Sequence, residues 1–350
     1  MSYAGRFVLI ALSLALASGV ADAGAGNRTG TGGAAELLIP VGTRDIAMGG
    51  ATVSTSRGIE ALFWNPAGAA RLPGSASFYF SHMSYIADIG VDYGAAAVNF
   101  PDFGVLAINA KALSIGDISV TTNENPDGTG TTFSPQFFNL GLSYARLLSD
   151  RVSVGVTVTF ISERMGDVSA TGVAFNAGVT YDNLASIDGL SIGVVLKNIG
   201  PQMEFDGGGL LYLGSMEGQN RPPGYYKAEA APFELPSTLE FGLGYAFSFD
   251  EQNALQLAGT FQSNNFAEDE YRLGAEYGFQ GMFFVRGGLT LANGGWTPWQ
   301  EDENREFIYG PTFGVGLRYQ FGTLDMTVDY AFRSVEVFNN NHVFSLGIGL

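Results

Sequence analysis

The 350 residues carry 34 acidic and 17 basic side chains, a formal net charge of -17, which excludes the phosphate-neutralising surface of a nucleic-acid-binding protein. There is no cysteine, so disulfides and acylation at a lipoprotein-type cysteine are excluded as well. Forty-nine glycines beside 13% aromatic residues fit a chain with crowded small-residue positions and aromatic girdles.

At the start of the chain, Arg6 precedes an apolar run over 7–17, and Ala21-Asp22-Ala23 supplies small residues two apart. This is the pattern of a secretory signal peptide over 1–23, with cleavage expected after Ala23. The run is too short to span a bilayer as a helix, and no later segment reaches about eighteen apolar residues. Loss of Arg6 and Asp22 leaves the net charge unchanged. Residues 24–35 read as a flexible, glycine-rich lead. Residues 36–74 mix short helical patches with turns, chiefly over 42–51 and 58–68. At about forty residues this stretch is too small to stand alone, so it is expected to fold as a plug inside a barrel mouth.

From residue 75 the period changes to two. Phe344, Leu346, Ile348 and Leu350 share one face of an extended strand, while Val343, Ser345, Gly347 and Gly349 share the other. The same contrast recurs at 152–160 and 239–247. Large apolar residues on one face and small or polar residues on the other, in segments of about ten, are the mark of a transmembrane antiparallel β-barrel. The spacing predicts about fourteen strands, over 75–85, 90–100, 104–115, 135–148, 151–165, 169–181, 189–198, 236–249, 253–263, 269–279, 282–292, 311–321, 323–333 and 342–350. The linkers then sort by parity: the even-numbered ones are short, apart from a moderate sixth at 182–188, and the long ones (116–134, 199–235 and 293–310) are all odd-numbered. Short turns at one rim and long loops at the other define the periplasmic and extracellular sides of an outer-membrane barrel, and an even strand number places both termini at the short-turn rim.

The inward face of this 75–350 barrel carries Glu240, Arg272, Glu276, Arg286, Arg318, Asp325 and Asp329. Both signs are interspersed, so these charges are expected to pair with one another and with the plug; a selectivity lining is the alternative. Trp64, beside Asn65-Pro66, is expected to anchor the plug by packing. Trp296 and Trp299 sit in a long loop, where aromatics can dock a partner or dip into the membrane interface. His82 and His342 have no nucleophile or cysteine grouped with them in sequence. No catalytic residue, cofactor site or metal site is therefore expected, and the chain reads as a non-enzyme. The acidic runs 268–270 and 301–303 are read as solvated loop charge rather than calcium ligands.

The segment Arg44-Asp-Ile-Ala-Met-Gly-Gly-Ala51, followed by Gly58–Ala61 and the Phe63-Trp-Asn-Pro-Ala-Gly68 box, resembles the N-terminal region of PorV/PorQ family outer-membrane proteins. That family is similar in architecture to the FadL-like barrels, which carry an Asn-Pro-Ala element in an N-terminal hatch. The resemblance implies that Arg44, Met48, Gly49, Gly50, Trp64, Asn65, Pro66 and Ala67 are plug elements rather than ligand contacts. It also implies one of two functions in the outer membrane. The first is protein export beside a type IX secretion translocon, with the translocon and secreted proteins as partners. The second is FadL-like passage of a hydrophobic small molecule; a plugged, purely structural porin-like barrel is a third reading. Most inward positions are Gly, Ala, Ser, Thr or charged, which favours a protein partner. The final Leu350 departs from the usual terminal aromatic, although Phe344 keeps an aromatic on the same face.

Overall fold

The computed structural model describes Arg28 and residues 30–215, 222–292 and 307–350. The stretch read as a signal peptide, the two loop tryptophans and the 301–303 acidic run lie outside the described residues.

Fifteen strands form one antiparallel sheet; one of them is only the two-residue Asp206–Gly207 piece, which leaves fourteen that close into a barrel. We number them β1 (Ala76–Ser84), β2 (Gly90–Phe100), β3 (Gly104–Ser114), β4 (Gln136–Leu147), β5 (Val152–Met165), β6 (Val168–Asp182) and β7 (Leu190–Ile199). The second half comprises β8 (Thr238–Ser248), β9 (Asn253–Asn264), β10 (Glu270–Phe279), β11 (Phe283–Ala292), β12 (Tyr309–Phe321), β13 (Leu324–Val335) and β14 (Asn341–Gly349). Each pairs with its neighbours in sequence, and β1 pairs with β14 from Ser77↔Gly349 to Ser84↔His342 to close the ring. Closure removes every free edge, which is the condition for a sheet to sit in hydrocarbon.

Alternation places Phe78, Phe80, Leu142, Val156, Phe160, Phe241, Phe313 and Phe344 on the exposed outer surface. Residues such as Ser81, Ser143, Thr157, Glu240 and Ser345 are buried inside. The polarity is inverted relative to a soluble protein because lipid is the outer solvent. The long linkers carry two small hairpins that strand periodicity did not reveal, Ile118–Ser119 with Thr132–Phe133 and Leu211–Gly214 with Gly224–Lys227. The wall is irregular where β6 meets β7, with a register shift between Phe175 and Ala177 and Asn198 in a left-handed conformation (φ 57°).

The lumen is filled by the N-terminal segment, with two short helices, α1 (Thr43–Ala47) and α2 (Ala61–Trp64), joined by turns. Its path corrects two expectations. The described part of the glycine-rich lead is held in place, with Arg28 paired to Glu234 at 2.7 Å and the Gly33 amide donating to the Glu234 carbonyl. Gly32 and Gly33 are small because the Phe266 and Phe233 rings lie against them, so here glycine marks a tight contact rather than freedom. These partners belong to odd-numbered linkers, Phe233 and Glu234 to the long 199–235 one and Phe266 to the short one between β9 and β10, all at the long-loop rim. The segment therefore enters at the long-loop rim and descends the lumen to Arg71, whose guanidinium donates to the Asp150 carbonyl in a short turn. The barrel strands start and end at the short-turn rim as expected, but the described N-terminal residues sit at the opposite one.

Candidate functional site

Inward side chains form two stacked belts. Toward the short turns lie Gly155, Gly178, Gly193, Gly242, Ala258, Gly274, Gly288, Gly314 and Ala331. They meet across strands: Gly155 faces Gly178, Gly193 faces Gly242, Gly274 faces both Ala258 and Gly288, and Gly314 faces Ala331. One inward step nearer the long loops, the same strands carry Thr157, Asn176, Glu240, Arg272, Thr290, Thr312 and Arg333, with Asn109 and Asn139 on β3 and β4.

The lower belt seats the plug backbone. A Cβ at Gly155 would overlap the main chain of Pro66, one at Gly193 that of Val53, and one at Gly288 that of Met48 and Gly49. Gly49 and Gly50 adopt positive φ (65° and 72°), turning the chain after α1 so that it can lie against β10 and β11. Met48 is fully buried and packs with Ala51 and Ala258. The α1 carbonyls left open at its end are met by wall hydroxyls: Thr312 donates to the Ala47 oxygen at 2.9 Å and Thr290 to the Gly49 oxygen at 3.2 Å. Asn65 is fully buried; its Oδ1 accepts the Ala67 amide at 3.1 Å, capping the 3-10 turn Pro66–Arg71, and its Nδ2 donates to the Val53 oxygen at 2.9 Å. Trp64 donates from Nε1 to the Val41 oxygen at 2.9 Å and meets Phe63 edge-on.

The charges fall into three groups. Arg44 of α1 grips Glu276 through Nε and Nη2, each at 2.9 Å, and donates to Gln256 at 2.6 Å. Glu276 also accepts from Arg286 at 2.6 Å, and Arg286 reaches Asp329 at 2.5 Å, a four-member ladder of two cations and two anions between plug and wall. Such a ladder, sealed from water, is costly to break at one member because a buried charge is left uncompensated. A second group joins Lys197 to Glu240 at 2.9 Å and Arg272 to Glu270 at 2.7 Å. Arg318 and Asp325 form a third, looser pair (3.6 Å) in water near the short-turn rim, apart from the other two. Sequence spacing did not single out Arg57 and Arg71, which hold Asp182 at 2.5 and 2.7 Å and fasten the plug's lower end. Nor did it single out Lys111, Lys197 or Arg333. For Lys111, Lys197 and Arg333 the available signal was their place on the inward, period-two face of their strands.

Two plug acids lie beside the ladder. Burial pushes the Asp45 carboxyl up to about 6 against the pull of Arg44 and the Ser56 hydroxyl, which donates to it at 3.0 Å. Burial, with the charges of Asp45 and Asp329, pushes Glu60 up to about 8. The acidic run at 268–270 is engaged within the protein, Asp269 accepting from the Asn264 amide and Glu270 from Arg272.

Between the Phe63–Trp64 face of the plug and the upper belt lies a cavity of about 290 Å³. Lys197 sits 4.8 Å from the Phe63 ring centroid and 5.5 Å from that of Trp64, and Lys111 is 5.0 Å from that of Phe63. Above the rim, Tyr212, Leu213 and Tyr225 of the long-loop hairpin are well exposed.

A fourteen-stranded barrel, apolar outside and sealed by its own N-terminal segment, is an integral outer-membrane protein. Family comparison narrows the class. The sequence model of the family described as Type IX secretion system protein PorV matches residues 22–213, more than half of the chain, and the chain belongs to that family. Among solved structures, the Pseudomonas putida toluene transporter TodX is similar at TM-score 0.51 and 13% identity, with 88% of this chain and 96% of that one covered. A TodX deltaS2S3 mutant monoaromatic hydrocarbon channel gives TM-score 0.52 and 12% identity, covering 88% and 97%. At that identity the likeness is one of fold. No curated protein sequence matches.

Proposed function

We propose that this barrel receives exported proteins at the long-loop rim and works beside the secretion translocon, after export of the chain itself through a cleaved 1–23 signal peptide. The role is one of binding and hand-over, without catalysis. The observation that carries it is the hairpin Leu211–Gly214 with Gly224–Lys227, on which Leu213 is 65% and Tyr225 is 77% exposed. Its base is tied to the barrel side by the Lys227–Asp206 pair at 2.5 Å, which presents the aromatic surface away from the wall. Exposed aromatic and aliphatic side chains grouped on one projecting element are the composition of a protein contact. Passage of a hydrocarbon has less support, because the barrel wall above the plug contributes amides, hydroxyls and charges, and the apolar lining comes chiefly from the plug and from aromatic residues.

The test is affinity purification of the barrel from its native membrane, comparing the parent chain with a Leu213→Ser/Tyr225→Ser double variant. Co-purification of a large translocon barrel or secreted proteins, lost or strongly reduced in the variant, is expected. Recovery of the barrel with an apolar small molecule and no protein partner would replace this reading with uptake.

A further inference from the structure

We propose that the cavity above the plug is a binding site for one small hydrophilic anion, a hydroxylated carboxylate of sugar-acid size. The inference stands apart from the protein-cargo reading and needs no partner.

The first observation is a local inversion of charge. The chain as a whole is strongly acidic at -17, yet among the described residues the cavity is lined by four cations and two acids, a net +2. Low-dielectric walls focus such a field and concentrate counter-ions. The two acids are already taken, Glu240 by Lys197 and Glu270 by Arg272. Among the described residues, Lys111 and Arg333 are left with no carboxylate within ion-pair distance. Lys111 is buried and donates to the Glu36 and Ile39 carbonyls at 2.7 and 3.1 Å, which uses two of its three protons. Arg333 stacks 3.3 Å over the Tyr309 ring, a contact that fixes the guanidinium plane without neutralising it.

The second observation concerns uncharged groups. Asn139, only 3% exposed and lining the cavity, has neither its amide oxygen nor its nitrogen matched by any hydrogen-bond partner. Buried amides are normally satisfied, and one open in both directions beside a cavity suits a hydroxyl that can donate and accept. Phe63 and Trp64 supply an apolar floor for a ring. At about 290 Å³, near the lower end of small-molecule sites, the cavity has room for one ring-sized molecule.

The experiment is titration calorimetry on the full-length barrel in detergent micelles with glucuronate, glucose and dodecanoate. Glucuronate is expected to bind with Kd on the order of 1 mM or tighter, glucose about tenfold or more weaker, and dodecanoate not at all. Arg333→Gln, at a partly exposed position, is expected to weaken glucuronate about tenfold with the barrel's resistance to heat in detergent unchanged; Lys111→Met is the second variant. No binding of glucuronate, equal binding of glucose, displacement by dodecanoate, or unaltered affinity in a folded Arg333→Gln protein would each overturn the proposal. Because the assay uses purified barrel alone, its failure leaves the cargo reading untouched, and the reverse also holds.

Discussion

The lower and upper halves of the lumen are built from the same strands and solve opposite problems. Below Trp64, glycine and alanine let the plug main chain lie on the wall, and every charge of the Arg44–Glu276–Arg286–Asp329 ladder is matched. One inward step higher, the belt is amide, hydroxyl and charge of both signs, and the Asn139 amide is unmatched. The difference shows that sealing and recognition need no separate domains: two residues along a β-strand suffice to pass from one to the other, because period two returns the chain to the same face.

This contrast can be broken most severely at the ladder. Arg44→Ala leaves Glu276 buried with half its compensation and is expected to cost about 3–5 kcal/mol of plug docking. Planar-bilayer conductance should rise while the barrel stays heat-resistant; an unchanged conductance would show that the ladder does not hold the seal. A sharper test compares two positions on β5. Gly155→Ala drives a methyl into the Pro66 main chain and should cost about 1–3 kcal/mol. Thr159→Ala, which faces the cavity on the same strand, should stay within about 0.5 kcal/mol. Urea unfolding in detergent measures both, and equal costs would erase the distinction between the belts.

The smallest effect is one of pH. A carboxyl raised from 4.5 to about 8 in the folded protein binds its proton more tightly folded than free, so Glu60 favours the docked plug below about pH 4.5 and progressively less as pH rises toward about 8. Asp45, raised to about 6, acts in the same direction over a narrower window. Hydrogen exchange at residues 58–64, corrected for the intrinsic rate, should therefore quicken from about pH 5 to about pH 8. Glu60→Gln should flatten most of that dependence, and exchange that slows with pH would reverse the sign assigned here.

All fourteen strands were legible in the sequence to within two residues of the structure, because lipid on one side and a crowded lumen on the other impose an alternation with no tertiary ambiguity. Which linkers share a rim was legible from their parity. The partners of the charges were not: that Lys197 meets Glu240, or that Arg57 and Arg71 converge on Asp182, depends on register and on the fold of the plug, neither of which is a local property. The direction of the plug was also hidden, since linker parity says nothing of a segment inside the ring. Gly32 and Gly33 were read as slack for the same reason. Their bulky neighbours, Phe266 and Phe233, come from more than 190 residues away in sequence.

The descent of the N-terminal segment from the long-loop rim to β1 constrains the order of assembly. A ring already closed at β1 and β14 could be filled only by drawing the segment upward through the whole length of the bore before it folds onto the wall glycines it now touches. Seating the segment while that seam is still open avoids any such passage. The last pair of strands to zip thus also locks the stopper in its bottle, and a chain whose stopper is misplaced at that moment has no short route to correct it.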